Sequence, residues 1–219
     1  MKRRVAILVA LILCVSLFLT GGKPKLVSED AAKEAGLAMI RQAYGVDLAS
    51  AVVTVEYHER AGVTYEDGER IQYGTEEPMR VYVIITNPDE IGNPEYYAEV
   101  NAVTGVAYRA DKDESLISLT PEQQAQAEAI GKVEDLPIEG FEDDEANALQ
   151  IGEDWVRAHF EPDIPVLRTV SNSSMTDNYL FPIIQVDGSV IFIDGTIYNV
   201  EVCWPAMEVT SVYLCNQEY

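Results

Sequence analysis

The chain has 219 residues, with 37 acidic against 15 basic side chains and a net charge of −22. So acidic a surface repels nucleic acid and anionic lipid headgroups and excludes both as partners of the folded body. A hydrophobic share of 47% with 24% charged residues is globular rather than disordered; the length allows one sizeable or two small domains.

Residues 1–22 read as a targeting segment. "MKRR" is a positive start, and "VAILVALILCVSLFL" is an apolar run of fifteen. No A-x-A cleavage box precedes the polar flank, and Val5 to Gly22 approaches the length needed to span a bilayer. A cleaved signal and an uncleaved anchor therefore both stand open. Cys14 does not read as a lipoprotein cysteine, because bulky Ile12 and Leu13 precede it. Either way the rest is expected outside the cytoplasm, secreted or tethered. Without Lys2, Arg3 and Arg4 it carries 12 basic against 37 acidic residues, a net −25.

"SEDAAKEAGLAMIRQAY" (28–44) predicts a helix capped by Ser28 and stopped by Gly45. Ala32, Ala35, Gly36, Met39 and Ala43 share one face, with Ile40 and Tyr44 beside it. Alternating residues around Val53–Tyr57, the mostly apolar 79–86, and a hairpin in "YYAEVNAVTGVAYRA" (96–110) read as strands. Thr120, Pro121, Gln123 and Gly131 frame a short linker helix. "DDEANALQIGEDWVRAHF" (143–160) predicts another helix. Strand-like runs follow, with Asp187-Gly188 and Asp194-Gly195 read as hairpin turns and a final turn at Trp204-Pro205-Ala206.

The halves align with each other. At an offset of 116, Gly36 meets Gly152 and Tyr44 meets Phe160; at 102, "YAEVNAVTGVAY" meets "NVEVCWPAMEVTSVY". The expected fold is α+β: two tandem units, each an N-terminal helix on a roughly four-stranded antiparallel sheet. The units are placed at 26–110 and 142–219, the second divergent, with a linker at 111–141 and the targeting segment at 1–22.

The helix "SEDAAKEAGLAMI" and the hairpin "VNAVTGVAY" resemble the PepSY family, whose Ala-rich helix is followed by strands ending in V-D-A-x-T-G-x-V. Asn101 stands where Asp is commoner, and in the second half Cys203-Trp204-Pro205-Ala206 replaces the Thr-Gly turn. The resemblance covers roughly 26–110 and implies a PepSY or cystatin-like fold in an exported bacterial protein. Such modules bind or inhibit peptidases or act as non-catalytic interaction modules, and the motif carries no catalytic residue.

The residues themselves point the same way. His58 falls on the polar parity of a strand, and His159 on an apolar helix face beside Trp155. No G-x-S-x-G or zinc spacing occurs. Cys203 beside the last turn and Cys215 up the other strand stand roughly 26 Å apart at ~3.3 Å per residue, too far for a disulfide. The acidic run "EGFEDDEANA" (139–148) lacks the D-x-[DN]-x-[DN]-G calcium loop and reads as a solvated helix start; calcium is the weaker reading there. No catalytic, cofactor or metal site is assigned.

Strand 207–214 is expected to be a terminal edge that takes an extended peptide by strand addition, with Glu208, Thr210, Val212 and Tyr213 as its contact residues. Tyr96, Tyr97, Tyr108, Tyr198 and Tyr213 read as sheet packing or an aromatic recognition face. The expected function is a non-enzymatic binding module at the bacterial envelope, taking a protein or peptide, with binding or inhibition of a peptidase as its PepSY-like form. The alternative is an acidic divalent-cation-binding or structural envelope protein.

Overall fold

The computed structural model describes residues 24–60, 63–66, 69–73, 78–88, 93–130, 138, 140–161, 163–177 and 183–215. Residues 1–22, read as a targeting segment, and part of the strand-like run "NYLFPIIQV" (178–186) lie outside them. Helix α1 (Glu29–Tyr44) begins where the Ser28 hydroxyl accepts the Ala31 N–H at 3.2 Å. It ends at Gly45, whose φ of 66° lets its N–H return to the Arg41 carbonyl. Strands β1 (Val53–Arg60), β2 (Val63–Glu66), β3 (Glu69–Tyr73), β4 (Met79–Thr86), β5 (Tyr96–Asn101) and β6 (Ala107–Lys112) follow. After a 3-10 turn (Glu114–Leu116) come α2 (Pro121–Ile130) and α3 (Glu142–His159). Strands β7 (Val166–Asp177), β8 (Ile184–Phe192), β9 (Ile197–Trp204) and β10 (Glu208–Leu214) complete the described chain. The reciprocal Thr120–Gln123 bonds that cap α2 are formed. No helix among the described residues is long and apolar enough to cross a membrane.

The expectation of two tandem units on separate four-stranded sheets is overturned. All strands but the small β2–β3 ribbon join one eight-stranded antiparallel sheet, ordered β1-β4-β5-β6-β10-β9-β8-β7. The join is the β6–β10 seam, where Asp111, Ala110 and Arg109 pair with Ser211, Val212 and Tyr213. Each of these strands would otherwise leave a row of open backbone groups, and pairing satisfies both rows at once. The Tyr44 hydroxyl reaches the seam from α1, directed at the carbonyls of Ala110 (3.0 Å) and Thr210 (2.8 Å). Lys112 and Glu208 form an ion pair across it.

One core lies under the helices. α1 packs on β4–β6 and α3 on β7–β10, burying Ile40, Ile84, Val100, Val156, Val200 and Val202 in one cluster. Glycine sets the approach of both. A Cβ on Gly36 would stand 2.5 Å from Ile84 Cγ1, and one on Gly152 would stand 2.8 Å from Val200 Cγ1. The helices touch at their C-terminal ends, where Gln42 donates to the His159 carbonyl at 2.6 Å.

A second correction concerns Asp187-Gly188. It is no turn: β8 runs straight through it, Asp187 opposite Glu201 and Gly188 opposite Val200. The glycine is there because α3 crosses close above, and a Cβ would meet Leu149 Cδ2 at 2.5 Å. Asp194-Gly195 does turn, with Gly195 at φ 91° and Asp194 accepting the Thr196 N–H at 2.9 Å. The hairpin that carries the PepSY resemblance is also turn chemistry. Asn101 Oδ1 accepts the N–H groups of Val103 and Thr104 at 2.9 and 3.0 Å, an acceptor role that Asp fills equally.

Candidate functional site

The helices cover one sheet face; the other carries a small buried apolar cluster of Val81, Val83 and Tyr108 beside the polar residues of the pleat. Bulges aim extra side chains that way. Between Glu99 and Val100 the β5–β6 register shifts, and Tyr108 joins Arg109 on the helix-free side. Between Val209 and Ser211 the β9–β10 register shifts likewise, and Thr210 joins Ser211 there. An open trough of about 1100 Å³ crosses the seam on this face, rimmed by the 3-10 turn.

Two carboxyl centres stand in it. Glu99 on β5 is 2% exposed. It accepts both nitrogens of the Arg60 guanidinium at 2.8 and 3.0 Å, the Tyr108 hydroxyl at 2.7 Å and the Tyr97 hydroxyl. Burial alone would raise its pKa, but the hydrogen bonds from Arg60, Tyr108 and Tyr97 outweigh it and hold the carboxyl below its ordinary value. Burial and the neighbouring carboxylate push the Tyr97 hydroxyl up to about 12.

The second centre is a row across four strands. Asp111, Ser211, Glu201 and Asp187 stand opposite one another in turn on β6, β10, β9 and β8. Ser211 donates to Asp111 at 2.7 Å, and Arg109 bonds the same carboxylate at 2.8 and 3.1 Å. Burial first, then the charges of Asp187 and Asp111, lift Glu201 to about 7. Burial also raises Asp187 and Asp111; Arg109 pulls Asp111 part of the way back. Asp187 and Glu201 stand directly opposite on neighbouring strands, and hydrogen bonding toward Glu201 offsets part of the rise at Asp187; two carboxyls can share such a bond only with one proton between them. Chemically the trough offers fixed hydrogen-bond partners of both signs and one carboxyl that exchanges its proton near neutral pH.

The residues expected to form a peptide-binding edge are elsewhere in role. β10 is paired on both sides, by β6 and by β9, so strand addition to it is closed. Glu208 is held by Lys112, Thr210 lines the trough, Val212 is buried under the helices, and Tyr213 packs edge-on to Tyr108 at 5.6 Å. Among the described strands, β1 and β7 are the outermost of the large sheet. Of the other tyrosines, Tyr96 packs on Tyr44 and Tyr198 on Phe160 and Phe192.

His58 is exposed against Glu56 at 3.1 Å, and His159 stacks on Trp155 at 4.6 Å. Cys203 and Cys215 are free thiols; burial pushes Cys203 up to about 12, far from nucleophile range. The acids Glu142 to Glu145 line the first turn of α3. Among the described residues no group of three His, Cys, Asp or Glu side chains could hold a metal ion.

Sequence reasoning missed Arg60, Glu99, Arg109, Asp111, Asp187 and Glu201. One signal was available. The same alignment that pairs the hairpins sets Glu99 against Glu201, each a lone acid between apolar residues. No protein-family model matches this chain, and searches of curated proteins and of solved structures returned no match.

Proposed function

We propose that this chain is a non-enzymatic binding module working outside the cytoplasm, and that the trough over the β6–β10 seam is where it holds a protein or peptide segment bearing basic side chains. The observation that carries this reading is the trough: its walls come from both halves of the sheet, and Asp111, Glu201, Glu99 and Arg109 face it in fixed positions. Preset polar partners lower the ordering cost of binding. The net charge of −22 draws basic partners to the surface. The basic-then-apolar start supports export, and the helix-plus-hairpin resemblance to PepSY supports a peptidase as the partner class.

The test is photo-crosslinking of the full chain in its native cell. A crosslinking residue at exposed Ser115, on the trough rim, is compared with one at exposed Glu34 on α1. An adduct at 115 that is missing at 34 is expected. Adducts of equal yield at both positions, or none at 115, refute the assignment of the trough.

A further inference from the structure

Glu99 and Glu201 occupy matching places in the two halves, yet their surroundings differ in sign. Glu99 has the Arg60 guanidinium and two tyrosine hydroxyls. Glu201 has Asp187 directly opposite on β8, Asp111 and Arg109 on β6, Ser211 on β10 and Glu114 on the 3-10 turn. Through the sheet it also faces the Tyr44 hydroxyl, and two residues along β9 on its own face stands the Cys203 thiol. Burial holds both of these neutral. Arg109 is bound to Asp111 by two short contacts, and its charge offsets only part of the rise that burial, Asp187 and Asp111 impose on Glu201. Like charges directly opposite in a sheet repel.

We infer that the Asp111–Ser211–Glu201–Asp187 row is a proton-operated device that tightens the second half of the sheet in mild acid and loosens it at neutral pH. With one proton between Glu201 and Asp187 the two carboxyls bridge β8 and β9. When the proton leaves, two carboxylates face each other across these strands with Asp111 on the flank. Because the trough is lined by Glu201 and Asp111, its charge falls by one in the same step. The inference stands on the row itself and does not depend on what the trough binds.

The sign follows from linkage. An unfolded glutamic acid releases its proton near its ordinary value of 4.5, whereas folded Glu201 keeps it to about 7. The folded state binds the extra proton between these limits, so stability falls as pH rises through that window and levels off above it. Glu201→Gln removes this residue's share of the dependence. It should match the parent near pH 5 and be the more stable protein at pH 8, by on the order of tenfold to a hundredfold in the folding equilibrium.

The experiment titrates the full chain with carboxyl-labelled glutamate by carbon NMR and records urea midpoints at each pH. The expected result is one glutamate resonance with a midpoint near 7, lost in Glu201→Gln, whose urea midpoint is flatter with pH than the parent's. Asp187→Asn should fold and move that midpoint toward the ordinary value, so the inference is tested even if Glu201→Gln fails to fold. It is overturned if no glutamate titrates above about pH 5.5, if Asp187→Asn leaves the midpoint in place, or if Glu201→Gln keeps the parental pH slope.

Discussion

Replacing Gly36 by Ala puts one methyl group into the tightest helix–sheet contact of the first half. The new Cβ would lie 2.5 Å from Cγ1 and 3.1 Å from Cβ of Ile84, and 3.4 Å from Cβ of Ala98. Ile84 and Ala98 are fully buried on adjacent strands, so neither can swing aside. Overpacking of this kind costs about 1–3 kcal/mol. Alanine returns about 1 kcal/mol through its higher helix propensity. With the clash at a branched side chain held by a sheet, the cost should lie in the upper part of its range, leaving a net loss of about 1–2 kcal/mol. At roughly 2–3 kcal/mol per molar urea the midpoint drops by roughly 0.5 M. Gly188 provides the contrast. Its Cβ would also stand 2.5 Å from a neighbour, but that neighbour is Leu149 Cδ2, the end of a flexible side chain. Gly188→Ala should therefore cost less than Gly36→Ala, because Leu149 can give way and the about 0.5–1 kcal/mol that Gly inside a strand costs relative to Ala offsets part of the displacement. A double-mutant cycle with Ile84→Ala isolates the clash: the double variant should be less destabilised than the sum of the singles by about 1 kcal/mol. A Gly36→Ala protein as stable as the parent, with an additive cycle, would refute the close-contact account of α1.

Four other outcomes are expected. Glu99→Ala strands the Arg60 guanidinium and two tyrosine hydroxyls, at the lower end of the ~3–5 kcal/mol range for breaking a buried pair, because the arginine side chain is 42% exposed; urea denaturation measures it. Because its partners hold Glu99 below the ordinary 4.5, the stability it contributes is present above that value and disappears as pH falls through the lower folded value. Glu99→Gln should accordingly flatten the acid limb of the melting curve. Tyr44→Phe removes the hydroxyl that reaches both seam carbonyls; a loss of about 1 kcal/mol should come with faster amide exchange in β6 and β10. Glu208→Ala breaks a seam ion pair whose acidic member is 44% exposed, so it should cost under about 1 kcal/mol.

What could be read in the sequence was local chemistry. Ser28, Gly45 and the Thr120–Gln123 box act within one turn of chain, and each forms as expected. The run 197–204 is among the strand-like segments of the sequence, and in β9 Tyr198, Val200 and Val202 are buried. The failures concern what lies across the chain. Asp187-Gly188 has the composition of a hairpin turn, but only the passage of Leu149 above it explains the glycine. Strand 208–214 ends the described sheet segments in sequence, yet being an edge is a property of pairing, and β6 supplies the partner. Reading Asp187 as a turn residue hid the carboxyl row, since that reading removes it from the strand face where Glu201 stands.

The two halves of the sheet also show why a repeated pattern does not carry its chemistry with it. Glu99 and Glu201 are each an acid placed between inward apolar neighbours, and the backbone puts both on the helix-free face. The first is charged because β1, two strands away across β4, brings Arg60 over it. The corresponding outer strand of the second half, β7, carries Arg168, which is not among the groups shifting Glu201. Asp187, on the strand between, is the charge that Glu201 meets. One acid thus becomes a fixed anion and the other a proton store, and the difference resides in single residues on neighbouring strands. Arg60 is therefore the residue to move: Arg60→Gln should push Glu99 upward, toward the behaviour of Glu201, because burial then acts with less opposition. A second glutamate resonance rising above about pH 5 in that variant would support the argument, and an unmoved Glu99 would show that the tyrosine hydroxyls alone set its charge.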